Sequence, residues 1–392
     1  MIAHSNGGPT ILLVTNTDRF AFINHGSRIR ALQERGHRVV LLTELGEYRE
    51  RLSAMGVELH HVPIARRIAL LEDLHSLWCC FRALRTIQPD VVHTHTSKAG
   101  VLGRVAGRLA GVPVVVHTLQ GLPFYDGQPR ARSSLYAGLE WIAGQFGHAI
   151  FSESREDLFR ARSLGLARKE RLYHIGSGIR VQEIERQVRT GEHEKLKDQL
   201  EIPKNAVILL FPARLEPVKG HRFFLEVIQD LRARTTSPFI CLCAGDGPLR
   251  AELEAHAHDL GVASSIRFLG FRNDLPALLR IADILVLPSE KEGIARVLLE
   301  AMAARIPVVA TEVTGTREVV VSGVTGLLSR FGAVHSMARN LAYLIDRPEA
   351  RARFGRAGRE RVRILFDERK VPDRIDSLYR ILLHAHSANG LT

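Results

Sequence analysis

Short apolar runs of strand length alternate with helical stretches along the whole chain, and the alternation is interrupted once. Thr10–Thr15, Arg38–Thr43, Val57–Val62, Val91–Thr94, Val114–Thr118 and Ala149–Ser152 read as strands. Between them, Asn24–Arg35 has helical spacing closed by Gly36, and Leu70–Ile87 is a long amphipathic helix ended by Pro89. Such runs, joined by helices, predict parallel sheets covered on both faces. The stretch Glu183–Glu201 is charged and has no apolar run of strand length. After it the alternation restarts at Ala206–Phe211, Phe239–Cys243, Ile266–Leu269, Ile284–Pro288 and Pro307–Ala310. The tail Ala333–Leu383 is helical, with interruptions at Pro348 and Pro372.

The fold class is therefore α/β, with two Rossmann-like domains divided at about Arg180–Pro203. The expected extents are 1–185, 186–370 and a C-terminal helix over 371–392 that packs back on the first domain. Doubly wound sheets bind ligands beyond the carboxyl ends of their strands. Two such edges facing across one cleft would hold two substrates, an arrangement suited to group transfer.

The bulk numbers agree with two soluble domains. The chain has 392 residues, 45% of them hydrophobic, and no stretch of membrane-spanning length. Met1–Thr10 lacks the basic start and apolar run of a secretory signal, so a cytoplasmic location is expected. Cys79–Cys80 and Cys241-x-Cys243 lack zinc-site spacing and are expected as buried free thiols. The formal charge of +12 attracts polyanions. From Val91 to Leu139 the one acid is Asp126, against Lys98, Arg104, Arg108, Arg130 and Arg132. That region is either a solvated basic face or a surface for a phosphorylated or membrane-bound acceptor.

The chemistry concentrates after the strands. Following Ile284–Pro288, Glu292 falls at a strand–helix turn, a helix starts near Arg296, and Glu300 lies about one turn into it. Gly293, Ile294 and Ala295 lead into that helix start, whose backbone N–H groups suit a diphosphate. A carboxylate there can grip vicinal hydroxyls. On spacing alone, both glutamates equally fit helix-start acids in solvent. Arg214 and Lys219 leave one loop, Pro212–Gly220, and two such cations can clamp a diphosphate. Gly245 and Gly247 make a Gly-x-Gly turn after the next strand, read as structural more than contacting.

In the first half, His93, His95 and His117 close apolar strands. No acid lies near enough in sequence to complete a metal site with them, so no metal and no cofactor is expected. The stripe Arg66, Arg67, Leu70, Leu71, Leu74, Leu77, Trp78 and Phe81 is either core or a face laid on an anionic bilayer.

These motifs, in this order from Thr10 to Phe366, resemble the family 4 glycosyltransferases of the GT-B fold, notably those building bacterial surface polysaccharides. The resemblance rests on Glu292 and Glu300 with seven residues between them, within Glu-Gly…Val-Leu-Leu-Glu-Ala-Met, and on Arg214 with Lys219. It implies a retaining, metal-independent hexosyl transfer from a UDP- or GDP-sugar, the nucleotide sugar being substrate and not cofactor. By resemblance, Glu300 binds the ribose hydroxyls, Glu292 lies at the donor sugar, Arg214 and Lys219 hold the diphosphate, and Gly245 lies under the base. The implied catalytic set is Glu292, His117, Arg214 and Lys219. His117 reaches the sugar or acceptor hydroxyl, and His95, Lys98 and Arg104 are acceptor-side candidates.

The implied partner is a lipid-linked or other saccharide acceptor at the inner membrane face, with no nucleic acid. Relatives often carry a Gly-Gly loop after the first strand. Here Gly7-Gly8 precedes that strand, so backbone at Phe20–Asn24 is the expected substitute. Thr316 replaces the second glycine of a Gly-Gly loop at Gly315, and Arg305 stands where glycine is usual. Two other readings stay open, a sugar-nucleotide 2-epimerase of the same fold and a polyanion-binding protein.

Overall fold

The computed structural model describes residues 7–64, 69–124, 128–189 and 193–389. Arg66, Arg67 and Asp126 lie outside these, as do the first six residues of the Met1–Thr10 segment. The chain forms two compact units, 1–176 with 370–392, and 177–369.

Unit 1 holds seven parallel strands: β1 (Thr10–Thr17), β2 (Arg38–Glu44), β3 (Glu58–His61), β4 (Val91–His95), β5 (Val114–Leu119), β6 (Ala149–Ser152) and β7 (Leu172–His174). Their order is β3-β2-β1-β4-β5-β6-β7. Alternate residues of each strand enter different cores: Ile11 and Leu13 face one helical layer, Leu12 and Val14 the other. Both faces are covered, which is why these strands read as unbroken apolar runs. Strand order reverses between β1 and β4, and at such a switch point a doubly wound sheet opens a ligand crevice.

Unit 2 holds six parallel strands: β8 (Val207–Pro212), β9 (Phe239–Ala244), β10 (Ile266–Gly270), β11 (Ile284–Leu287), β12 (Val308–Thr311) and β13 (Gly326–Ser329). Their order, β10-β9-β8-β11-β12-β13, reverses between β8 and β11.

Several expectations need correction. The first helix is Asp18–Glu34, beginning where β1 ends and well before Asn24. β7 and β13 did not stand out in the sequence because they are only partly buried, with no unbroken apolar run, unlike the fully buried four-residue strands β6, β11 and β12. The helical tail is interrupted just before each proline, as expected: Val334–Ile345 is followed by Pro348–Leu365, which Pro348 opens, and by Lys370–Asn389, with Pro372 in its first turn. The charged stretch is helical at Val181–Arg189, and its buried Val181, Ile184 and Val188 join the core of unit 2. The division between units accordingly falls before Ser177, upstream of the expected limit at 185.

The helix Lys370–Asn389 belongs to unit 1, where Val371, Ile375 and Tyr379 pack with Leu13, Val91, Val116 and Phe151. His37 Nε2 lies 2.6 Å from Asp376 Oδ1 and ties that helix to the sheet. All four cysteines are free. Cys80, Cys241 and Cys243 are buried, while Cys79 is only half-buried. The expected burial therefore fails at Cys79.

Candidate functional site

In unit 2 the loops leaving β8 and β11 meet at the carboxyl edge of the sheet. Glu290 N donates to Val218 O at 2.9 Å, joining the two loops. Gly220 sits at φ 73°, and a Cβ there would lie 2.1 Å from Pro288 O, so only glycine lets the loops approach this closely. Lys219 thereby reaches Glu292, with Nζ 2.7 Å from Oε1. Arg214 is more exposed and pairs with Glu216. Glu300 lies in the second turn of the helix Arg296–Ala303, its Oε1 accepting from Arg296 Nε at 2.9 Å. Burial raises the Glu300 carboxyl pKa, and Arg296 opposes that rise.

Each carboxylate expected to meet the donor is thus held by a cation that leaves an oxygen for a ligand. Gly293 and Ile294 form the loop before the helix, and Ala295 caps it with its carbonyl, accepting from Leu298 N at 3.0 Å.

Gly245 is a structural turn, the role its sequence context favoured. It is buried, and a Cβ there would lie 1.9 Å from Ala213 O. It packs beneath the loop that carries Arg214 and offers no surface to a base. Thr316 is likewise structural: its hydroxyl binds the backbone of Thr311 and Val313. Gly315 does hold the site, because a Cβ there would lie 1.6 Å from Gly293 O. Arg305 adopts φ 62° just after the helix Arg296–Ala303, the conformation that favours glycine at a helix end.

Three further residues belong to this edge. His221 is buried and stacked on Phe211 at 4.2 Å, with neither ring nitrogen hydrogen-bonded. Its pKa falls to about 4, through burial and then Lys219. Ser289 is fully buried, and its hydroxyl is likewise without a hydrogen bond. The third is Arg296. The sequence signal for all three was adjacency: His221 follows the Arg–Lys motif directly, and the other two flank Glu292.

In unit 1 the corresponding edge is built from the ends of β1, β4 and β5. Asn16 Oδ1 accepts from Thr96 Oγ1 at 2.7 Å and from Ala99 N at 3.2 Å. It thus fixes the start of the helix Ser97–Leu109. Thr96 there adopts φ 62°. His117 lies over Gly100, where a Cβ would come within 2.5 Å of the ring. Thr94 Oγ1 donates to Val116 O at 3.2 Å and lies 2.9 Å from His117 Nδ1. The hydroxyl proton is then committed, so Nδ1–H donates to Thr94 and Nε2 is left as the acceptor. Burial first, then Arg104, holds the His117 pKa well below the ordinary value, so the ring is neutral. His117, Thr96, Ser97, Gln120 and Glu140 line a pocket of about 210 Å³.

The acceptor-side candidates fare differently from His117. Arg104 is fully buried, paired with Glu140 at 2.6 Å and donating to Gly100 O, so it has no face for an acceptor phosphate. Lys98 is paired with Asp73. His95 is buried with ring centroids 4.1 Å from His25 and 4.2 Å from His93. His93 is spent between Tyr379 Oη at 2.5 Å and Thr118 Oγ1 at 2.6 Å. The Phe20–Asn24 backbone lies inside the first helix, with Phe20 N bonded to Thr17 Oγ1, so it does not replace the missing glycine loop. Among the described residues, no three His, Cys, Asp or Glu side chains converge as metal ligands.

The stripe on the helix Leu70–Ile87 is divided. Leu77 and Phe81 pack against the core, but Leu70, Leu71, Leu74 and Trp78 are exposed. Among the described residues no helix is long and apolar enough to cross a membrane.

Residues 192–361 match the family model described as glycosyl transferases group 1, and residues 27–174 match a glycosyl transferase 4-like domain. The chain is 29% identical over 286 residues to the UDP-Gal:alpha-D-GlcNAc-diphosphoundecaprenol alpha-1,3-galactosyltransferase of Escherichia coli, covering 72% of this chain and 73% of that protein. It is 30% identical over 364 residues to a D-inositol 3-phosphate glycosyltransferase of Saccharomonospora viridis, covering 86% and 83%. Its fold matches the crystal structure of Anabaena HepE in complex with UDP-glucose, with a TM-score of 0.77, 20% identity, and 95% and 99% coverage. With its paired cations and glutamates at the edge of a doubly wound sheet, and with these relatives, the chain belongs to the group 1 glycosyltransferases of the GT-B fold.

Proposed function

We propose that this transferase moves a hexosyl group from a UDP- or GDP-sugar to a hydroxyl of a lipid-linked saccharide, with retention, in surface polysaccharide synthesis. The observation that carries the reading is the double pairing in unit 2, Lys219 with Glu292 and Arg296 with Glu300. One pair suits a diphosphate next to a sugar, the other a ribose. The E. coli relative is named for a diphosphoundecaprenol acceptor, which supports the acceptor class.

In this mechanism the bond from sugar C1 to the phosphate oxygen breaks, and its electron pair leaves with the diphosphate. Lys219 and Arg214 stabilise that charge. The acceptor oxygen bonds to C1 from the same face, and its proton passes to the departing phosphate oxygen. Glu292 orients Lys219 and the donor ring. His117 accepts a hydrogen bond at Nε2 from a sugar or acceptor hydroxyl. The protein's own cations carry the leaving-group charge, so the mechanism is metal-independent.

We place the enzyme at the inner face of the membrane. Trp78 and Trp141 are the chain's two tryptophans, and both are more than half exposed. Their helices, Leu70–Ile87 and Arg130–Phe146, flank the helix Ser97–Leu109. Tryptophan, exposed leucines and nearby Arg130 and Arg132 suit an anionic interface.

The test is release of nucleoside diphosphate from a panel of UDP- and GDP-sugars by wild type and Glu300→Ala, with and without a lipid extract. Lipid-dependent release from one donor, lost in the variant, is expected. No turnover or binding of any nucleotide sugar would refute the proposal, and an isomeric nucleotide sugar as product would indicate an epimerase.

A further inference from the structure

At the opposite, amino-terminal edge of the unit 1 sheet, five cationic or imidazole groups gather. Arg108 ends the helix Ser97–Leu109, His148 precedes β6, and Arg168 and Arg171 precede β7. His386 comes from the helix Lys370–Asn389, its ring 6.2 Å from that of His148. Arg171 Nε donates to His148 O at 2.9 Å. None of Arg108, Arg168 or Arg171 forms an ion pair with a carboxylate among the described residues, and Glu170, in the same turn, is exposed.

The tautomer of His148 sharpens the picture. Val115 N donates to His148 Nδ1 at 2.9 Å. In the neutral ring the proton is therefore on Nε2, and that atom lies 3.3 Å from Arg108 Nη1. Two donors face each other, an arrangement that a shared acceptor satisfies. Burial, then Arg108 and Arg171, lower the His148 pKa to about 4. A Cβ on Gly165, three residues before Arg168, would lie 3.9 Å from Nε1 of the exposed Trp141.

We propose that Arg108, Arg168, Arg171 and the Nε2–H of His148 form a second anion site that takes a phosphate group, remote from the transfer chemistry. A phosphate oxygen accepts from Arg108 and His148 together, and its charge relieves the repulsion among the arginines. The phosphate comes either from solution or from a lipid headgroup beside Trp141. The inference stands whether or not the sugar donor has been correctly identified.

The full chain, labelled with 15N-histidine, is titrated with inorganic phosphate while the His148 ring is followed. In parallel it is sedimented with phosphatidylcholine vesicles with and without phosphatidylglycerol. Arg108→Gln and Arg168→Gln alter exposed side chains outside the donor site, and unchanged melting temperatures verify their folding. Phosphate is expected to raise the His148 pKa, and the double variant to weaken binding about ten-fold. If the variants weaken phosphate binding alone, the ligand is a soluble phosphate. If they also release the chain from phosphatidylglycerol vesicles, it is a headgroup. If neither phosphate nor phosphatidylglycerol binding responds to the variants, the site does not exist.

Discussion

Lys219 Nζ lies 2.7 Å from Glu292 Oε1, joining residues that are 73 positions apart at the ends of two neighbouring strands. Both side chains are mostly shielded, so the pair is more than a surface ion pair. Lys219→Ala and Glu292→Gln are each expected to lower kcat about 10²–10³-fold. Melting temperatures should move by only a few degrees. Turnover and thermal melts on the same preparations decide the matter, and melting losses that parallel the activity losses would make the pair purely structural.

Arg296 should control the pH at which Glu300 works. Burial raises the Glu300 pKa and Arg296 opposes that rise, so Arg296→Leu raises it further. The ionised carboxylate is the form that accepts from ribose hydroxyls. On acidification, the donor KM of the variant should therefore begin to climb at a higher pH than that of wild type. KM profiles between pH ~5 and ~8 test this, and superimposable acid limbs would rule it out.

Acid should destabilise unit 1 through its buried imidazoles. Burial lowers the pKa of His93 to about 3 and holds those of His95 and His117 well below the ordinary value. Above pH ~6.5 neither folded nor unfolded state binds these protons, and the groups are neutral to stability. Below that, the unfolded chain takes protons that the folded chain refuses. Each histidine then removes stability by as much as about 1.4 kcal/mol per pH unit, until the folded pKa is reached. Melting temperature should be flat from pH ~8 to ~7 and fall towards pH ~5. A profile still flat at pH ~5 would contradict the assignment of neutral rings.

Gly315→Ala should uncouple donor binding from folding. Its new methyl would meet Gly293 O at 1.6 Å, so the loop bearing Glu292 must shift. Donor affinity is expected to fall about ten-fold or more, with the core of unit 2 retained. Calorimetric titration with UDP-sugars, alongside circular dichroism, separates the two effects.

Membrane contact should be visible in intrinsic fluorescence. Trp78 and Trp141 are the chain's two tryptophans, both exposed, so anionic vesicles should shift the emission to the blue. Trp78→Phe and Trp141→Phe should each remove part of the shift. An unchanged spectrum on vesicle addition would remove this face from the membrane.

Eleven of the thirteen strands among the described residues were legible, most because burial on two faces writes them as continuous apolar runs, whereas β7 and β13 were not. The motifs at their carboxyl ends were legible for a related reason: a strand end fixes where the next side chains emerge. Thus Lys219 meets Glu292, and Glu300 lies on the helix that follows, bonded to Arg296. Contacts made across the fold were not legible. Nothing near Arg104 in sequence announces Glu140, and nothing near Lys98 announces Asp73, so two cations read as open to solvent are spent internally. Gly245 was legible as a structural turn, but the backbone it packs on, Ala213, was not, since that neighbour comes from another strand end. The stripe at Leu70–Trp78 has core spacing, yet the layer it would need to bury it is absent among the described residues.

The helix Lys370–Asn389 gives the order of synthesis a structural meaning. Val371, Ile375 and Tyr379 complete a core whose remaining buried members lie before residue 176, and the Tyr379 hydroxyl bonds His93. A nascent chain therefore emerges with unit 1 unfinished, and unit 2, which is contiguous, is the first that can close. Unit 1 must wait, with an apolar groove open, until residues 370–389 have been translated. A premature stop after residue 369 would spare unit 2 and forfeit unit 1, and fragments cut at 176 for separate study would carry the same defect.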